Sequence, residues 1–246
     1  MTYRGTNSWL LDTGDGLTVI DPGPDDAAHV SGLVAACGGA LRRILLTHTH
    51  PDHVGAAAPL RAATGAPILG WGKPWKTGFT PDKAIQDGDT IAGLTALHTP
   101  GHASDHLCFA WDDGSLFSGD HVMSWNTSVV SPPDGDMAAY MASLRRLMAR
   151  EDQVFYCGHG PVLAAPQALM RAMLGHRVAR EAAVLAALAD GARSPAAVVE
   201  RLYAEVDVRL KQTAARTVLA HLIKLESEGR AERDGDDWRK TDAAAS

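Results

Sequence analysis

The stretch Leu45-Leu46-Thr47-His48-Thr49-His50-Pro51-Asp52-His53 places three histidines and an aspartate within six residues. Imidazole and carboxylate are ligands for zinc and other borderline divalent cations. The apolar run Ile44-Leu45-Leu46 just before them reads as the end of a buried strand. Pro51 can neither extend a strand nor sit inside a helix, so the polar cluster is expected in a loop at that strand's C-terminal end. Alternate side chains of an extended segment share a face, which lets His48 and His50 reach one point together. Asp52 and His53 lie past the turn and can reach a second point nearby. One histidine in such a place is usually a solvated turn residue. Four potential ligands packed this tightly read as a metal site.

One loop cannot close such a site, and three further candidates stand at the ends of β-prone runs. His102 lies in Thr99-Pro100-Gly101-His102, after a segment from Ile91 to His98 that reads as a strand. Asp120 lies in Phe117-Ser118-Gly119-Asp120-His121, after the apolar stretch Leu107 to Trp111 and the turn Asp112-Asp113-Gly114. His159 lies in Cys157-Gly158-His159-Gly160-Pro161, after Val154-Phe155-Tyr156. Each has a glycine beside it, where a tight turn can present the side chain.

The series THTHPDH, TPGH, SGD and GHGP resembles the metallo-β-lactamase fold superfamily, in the right order over roughly residues 1–165. That resemblance implies an α/β fold, a four-layer αββα sandwich, around two divalent metal ions. Carried over by position, His48, His50 and His102 match the first site, Asp52, His53 and His159 the second, and Asp120 the carboxylate bridging both. Zinc is the first expectation, although His/Asp sites also accept iron or manganese. Aspartate rather than cysteine at position 120 resembles the glyoxalase II-like hydrolases more than the antibiotic-destroying lactamases. The family also tends to carry an acid where Asp21 stands, orienting ligands from behind; a turn-capping role is an equal reading of that residue.

The elements that must position these groups alternate between sheet and helix. Thr6 to Gly23 reads as a hairpin about the turn Asp12–Gly16. Residues 25–39 read as a helix closed by Gly38-Gly39, Val54 to Ala63 as a second, and Met137 to Arg150 as a third, N-capped by Asp136. Helices outside sheets suit a layered α/β architecture. Gly70 to Thr80, with Trp71, Trp75 and Phe79, is expected to be a surface lid or a substrate-facing loop. After Asp120 come Trp125, Asn126 and Thr127, the candidate substrate contacts by adjacency alone. The 38 residues between Asp120 and His159 leave no room for the inserted domain of the β-CASP nucleases. His106 and His121 are expected to support the site from behind.

From residue 166 the pattern changes. Helices are expected over Leu169 to Ala189, from Ser194-Pro195 to Ala204, and over Thr213 to Glu228. Two short strands about the turn Asp234–Asp237 follow. Helix, helix, helix and hairpin resemble a winged helix, and the whole chain then resembles the β-lactamase-like protein 2 branch of the superfamily. Two domains are expected, 1–165 catalytic and 166–246 winged-helix-like.

Composition is that of a water-soluble globular chain: 246 residues, 46% hydrophobic, 21% charged, net charge −6. Cys37, Cys108 and Cys157 are odd in number and widely spaced, which reads as reduced thiols in a cytoplasmic protein. No export signal opens the chain, and no apolar run approaches the 20 residues of a membrane span.

Two metals held in this way would lower the pKa of a bridging water toward about 7, giving hydroxide at neutral pH. Asp52 and Asp120 are the expected catalytic residues. The implied chemistry is hydrolysis of an ester, thioester, amide or phosphodiester. The expected partner is a small acyl substrate or single-stranded RNA, since relatives of this branch include endoribonucleases and polyketide-releasing thioesterases. Residues 168–246 hold 13 Lys/Arg against 12 Asp/Glu with no basic stripe, which weighs against nucleic acid. A DNA-binding regulator with a hydrolase-like domain is the reading of another class. The C-terminal part is expected to wall the cleft or to build a homodimer.

Overall fold

A computed structural model describes residues 4–205 and 207–241. Among them the chain forms two sheets facing each other, with helices on both outer faces. The first sheet holds β1 (Trp9–Asp12), β2 (Leu17–Ile20), β3 (Leu41–Leu45), β4 (Ile68–Trp71) and β5 (Lys83–Ile85) in that order. Only β1 and β2 pair antiparallel, as the predicted hairpin; β2 to β5 are parallel. Parallel neighbours need crossovers, and α1 (Ala27–Cys37) and α3 (Ala57–Thr64) supply them. Asp26 caps α1 by accepting from the His29 amide, and Gly38 ends it in the left-handed region at φ 53°.

The second sheet runs β11 (Leu163–Ala164), β10 (Val154–Cys157), β9 (Ser115–Gly119), β8 (Leu107–Trp111), β7 (Leu94–His98) and β6 (Thr90–Ile91). The segment from Ile91 to His98 is therefore two strands. Ala92 and Gly93 both take positive φ and form the two-residue hairpin turn between them. Between the sheets lies one apolar layer, with Ile20, Leu45 and Leu69 meeting Leu107, Phe109 and Phe117. A second layer packs α1 and α3 on the first sheet through Leu33, Cys37 and Leu60. A third packs α4 (Met137–Met148) on the second sheet through Tyr140, Met141 and Leu144. These layers are the expected αββα sandwich. All three cysteines are free and buried, and burial pushes the Cys108 thiol up to about 12.

The 23-residue helix α5 (Gln167–Ala189) joins the sandwich to the C-terminal part. Met170 and Met173 enter the third layer, while Val184, Ala187 and Leu188 enter a separate core with α6 (Pro195–Leu202), α7 (Val208–Ser227), β12 (Ala231–Asp234) and β13 (Asp237–Lys240). Trp238, 2% exposed, fills the centre of that core. Helix α7 starts five residues before the expected Thr213, because Asp207 accepts from the Arg209 amide and caps it there. No helix of the described residues is long and apolar enough to cross a membrane.

His221 on α7 is fully buried, with neither ring nitrogen hydrogen-bonded. Burial, reinforced by the charges of Arg177 and Lys224, pushes its pKa down to about 3. The unfolded chain takes up this proton near the ordinary 6.5, so stability is lost as pH falls from 6.5 toward 3, by at most about 1.4 kcal/mol per pH unit. Denaturant unfolding at pH 7 and pH 5 should show a loss roughly 2 kcal/mol larger in the wild type than in His221→Leu. Equal losses in both proteins would mean that His221 is not kept neutral.

Candidate metal centre

Every group singled out for metal chemistry stands just beyond the C-terminal end of a strand, at one edge of the sandwich. His48 and His50 follow β3, His102 follows β7, Asp120 directly follows β9, and His159 follows β10. Asp52 and His53 lie in a single helical turn, α2 (Pro51–Val54), with Pro51 at its first position, where a missing N–H costs nothing. The sequence pattern put them in an irregular loop; the turn carries both side chains to the same edge. Gly158 is required here, since a Cβ on it would stand 2.4 Å from Asp120 Oδ1.

The atoms that face one another form a continuous set. His48 Nε2 lies 3.0 Å from His50 Nδ1, which lies 3.1 Å from His102 Nε2. His159 Nε2 is 3.3 Å from Asp52 Oδ2 and 3.4 Å from Asp120 Oδ2. His53 Nε2 is 3.4 Å from Asp120 Oδ1 and 3.8 Å from Asp52 Oδ2. Asp120 Oδ2 is also 3.7 Å from His102 Nε2, so this one carboxylate touches both halves. Tetrahedral ligands at about 2.1 Å from a metal lie roughly 3.4 Å apart. The spacings match, and three groups of donors close within 4.8 Å: His48/His50/His102, His48/His53/Asp120 and Asp52/His53/His159.

The contacts of the outward nitrogens fix which nitrogen of each ring faces the centre. His53 Nδ1 donates to Asp21 Oδ2 at 2.8 Å, His102 Nδ1 to the Val129 carbonyl at 2.7 Å, and His159 Nδ1 to the Gly5 carbonyl at 3.0 Å. Thr47 Oγ1 donates to Asp21 Oδ2 at 2.7 Å, so at 3.0 Å it accepts from His48 Nδ1. His50 turns its Nε2 to Asp134 Oδ2 at 3.4 Å. Four imidazoles thus hydrogen-bond through their outer nitrogen and the fifth, His50, turns its outer nitrogen to a carboxylate, the arrangement that readies histidines for a metal. Asp21, 1% exposed, also accepts from the Thr47 amide at 2.8 Å, so it ties the His48 and His53 supports together.

The charge balance asks for cations. Burial alone pushes the Asp120 carboxyl up, yet the charge of His53 and the hydrogen bond from His159 hold it well below the usual range. Burial likewise opposes the downward shift of Asp52, and His159 and His53 bring it to about 2. His53 is driven up by Asp120 and Asp21 against its burial, and His159 to about 9 by Asp120 and Asp52 against its own. Burial, with His53 and His50 beside it, drives His48 down. Protons gather beside the carboxylates where metal cations would compensate them. His53 Nε2 and Asp120 Oδ1 are buried without a hydrogen-bond partner. Donor type, spacing and orphaned atoms all fit divalent metal ions.

Several supports were not singled out from the sequence. Asp134 sat in a Pro-Pro-Asp-Gly turn with only loop signals; it accepts from the Ser104 amide at 2.7 Å as well as facing His50. Thr47 is another: it stands between Asp21 and His48 Nδ1. His106 acts from behind the site, as expected: its Nε2 accepts from the Asp120 amide at 3.2 Å, and its Nδ1 donates to Thr99 Oγ1 at 2.9 Å. His121 is buried, with no hydrogen bond to either nitrogen. Of the candidate substrate contacts, Trp125 packs beside Gly160 on the His159 side. Asn126 and Thr127 line a hollow against α5 and α7, which shares Val129 and Thr213 with the pocket at His50 and His102. The loop after β4 is pinned to the site, since Trp75 N donates to Asp105 Oδ2 at 2.9 Å and Lys76 N to Thr49 Oγ1 at 3.1 Å.

Residues 1–159 match the family model described as the metallo-beta-lactamase superfamily, and residues 194–238 match the beta-lactamase associated winged helix domain. The chain is 31% identical to the beta-lactamase-like protein 2 homolog of Drosophila melanogaster, over 94% of this chain and 85% of that one. It is 37% identical to the thioesterase pkgB of Emericella nidulans, over 77% of this chain but only 56% of the fungal one. Among solved structures, the protein TTHA1623 in a di-iron-bound form is 30% identical, with a TM-score of 0.59 over 67% of this chain and 92% of that one.

Proposed function

The chain belongs to the metallo-beta-lactamase superfamily as a metal-dependent hydrolase, and on that footing we propose that it is a dinuclear enzyme cleaving acyl thioesters or esters. The observation that carries this reading is the set of five histidines, four of them hydrogen-bonded through the outer nitrogen, around the carboxylates of Asp52 and Asp120. His48, His50 and His102 would hold one cation, Asp52, His53 and His159 a second, and Asp120 both. Zinc suits these donors best, with iron or manganese accepted by the same set. When bound, the pair lowers the pKa of water between them toward about 7 and polarises the scissile carbonyl.

The chain's own groups do the positioning. Asp120 spans the two halves and holds them at fixed separation. Asp52, with a third of its side chain exposed, is the carboxylate that can orient an attacking water at the open side. We divide the chain into a catalytic unit, 1–165, and a winged-helix-like unit, 166–246, joined through α5. The thioester reading draws support from fungal relatives bearing that name. A DNA-binding role draws less: Lys211 is paired with Glu200 and Lys224 with Glu181, and α7 turns Thr213 and Arg216 toward the His50/His102 pocket.

Metal-loaded protein should be given an acyl thioester beside labelled single-stranded RNA, with and without a chelator. Thioester turnover that stops on chelation and returns on metal addition is the expected result. RNA cleavage with thioester left intact would move the protein to the nucleases. Turnover that persists in chelator would end the metal reading.

A further inference from the structure

Two hollows share Val129 and Thr213 on their walls, and one of them opens on the metal site. The first opens on His50 and His102 and is bordered by Arg216 of α7. The second runs between the Asn126–Val129 loop and helices α5 and α7, past Arg177 and Arg180. Three arginines therefore line this groove in a protein of net charge −6. No carboxylate lines the second hollow. The one lining the first, Asp134, accepts from the Ser104 amide and turns its other oxygen to His50 at 3.4 Å.

None of the three forms an ion pair with a carboxylate among the described residues, although Arg177 also lies over the Tyr140 ring at 5.2 Å. Arg177 is 3% exposed; its Nη2 donates to the Ser128 carbonyl at 2.5 Å, but its Nε has no partner. Arg180 lies over the Tyr203 ring at 4.3 Å, and its Nε is also buried and unpartnered. The acid nearest in sequence, Glu181, is taken by Lys224 and Arg230. Arg216 makes no ion pair or hydrogen bond among the described residues. A buried guanidinium without a carboxylate is costly to the fold, and planar donors of this kind match phosphate and carboxylate.

We propose that this groove seats an anionic group, phosphate or carboxylate, on a part of the substrate that does not react, and that Arg180 and Arg216 set that preference. The proposal rests on the hydrolase reading of the neighbouring site. The winged-helix-like unit then serves as half of the substrate site. The anion can belong to the thiol side of a thioester or to its acyl side, and the arms of the test separate the two.

Calorimetry on metal-loaded protein should use two thiol-free probes, pantothenate 4′-phosphate for the thiol side and glutarate for the acyl side. One of them should bind, and its affinity should fall at least tenfold in Arg180→Gln/Arg216→Gln while surviving in Asp120→Ala. Arg216→Gln alone, an exposed change, guards against a misfolded double variant and should weaken binding severalfold. Kinetics should then compare a coenzyme A thioester, a glutaryl N-acetylcysteamine thioester and a neutral N-acetylcysteamine thioester. The ratio of kcat/KM for the favoured anionic substrate to that for the neutral one should fall at least tenfold in the double variant. Binding lost in Asp120→Ala but kept in the arginine variants would place the anion on the metals and overturn the proposal. Failure of both probes to bind would overturn it too. Absence of any thioester turnover would count against the proposed reaction and leave the binding result to decide the groove.

Discussion

Replacing Asp120 by alanine is expected to lower hydrolysis on the order of 10³-fold or more and to reduce the metal bound per chain. The carboxylate is 7% exposed and directs one oxygen at His53 and the other at His102 and His159. Its two oxygens thus lie within 3.7 Å of histidines from both halves of the centre. A bound metal supplies several kcal/mol of transition-state stabilisation, and about 4 kcal/mol is about 10³ in rate. The fold itself should tolerate the change. Asp120 holds no strand through its side chain, its backbone amide still reaches His106, and His53 and His159, which it keeps charged, can lose their protons when it is gone. Elemental analysis, circular dichroism and turnover on one preparation check all three statements. Full activity with two metals retained would sink the bridging role, and a collapsed fold would mean that Asp120 is a structural residue.

The second large effect is expected at Asp21, where the readout is which nitrogen of His53 carries the proton. Asp21 Oδ2 accepts from His53 Nδ1 and Thr47 Oγ1, and Oδ1 accepts from the Thr47 amide. Asp21→Ala orphans three buried donors at about 1–3 kcal/mol each, so it should destabilise by roughly 3–5 kcal/mol in total. Asp21→Asn keeps the size, and asparagine tolerates the left-handed backbone found there, φ 53°. Its amide, however, can present N–H to His53 Nδ1, which moves the imidazole proton to Nε2, the atom that faces Asp120. Metal affinity should then fall about 10–100-fold while the melting temperature of the metal-free protein changes little. Titration calorimetry on the asparagine variant beside thermal melts of both variants separates the two effects. An unchanged affinity in Asp21→Asn would mean that the tautomer is set by something other than Asp21.

Both predictions depend on groups of different visibility. His48, His50, Asp52, His53, His102, Asp120 and His159 stand out in the sequence because each is a ligand type within three residues of a glycine or proline, shortly after a β-prone run. That pattern is local: a strand end and a tight turn are specified by a few neighbouring residues, and parallel strands bring their C-terminal ends to one edge. The layered fold was legible for the same reason, since helical and strand periodicities alternate along the chain. Boundaries were less so. The one-turn helix at Pro51–Val54 and the hairpin turn at Ala92-Gly93 are too short to leave a period.

What only the tertiary structure decided are relations between residues far apart in the chain. Asp134 finds His50 across 84 positions and Arg177 finds Ser128 across 49, and neither aspartate nor arginine is unusual in its own segment. Thr47 becomes a relay only because Asp21, 26 residues earlier, lies beneath it. Arg180 and Arg216 share a groove because α5 and α7 pack against the loop that follows Asp120. The sequence by itself determined which atoms can bind a metal, because ligand chemistry belongs to the residue. Which nitrogen is free to bind, and which cations stay unpaired, was decided by packing, because a hydrogen bond or an ion pair needs a partner that only the fold brings within reach.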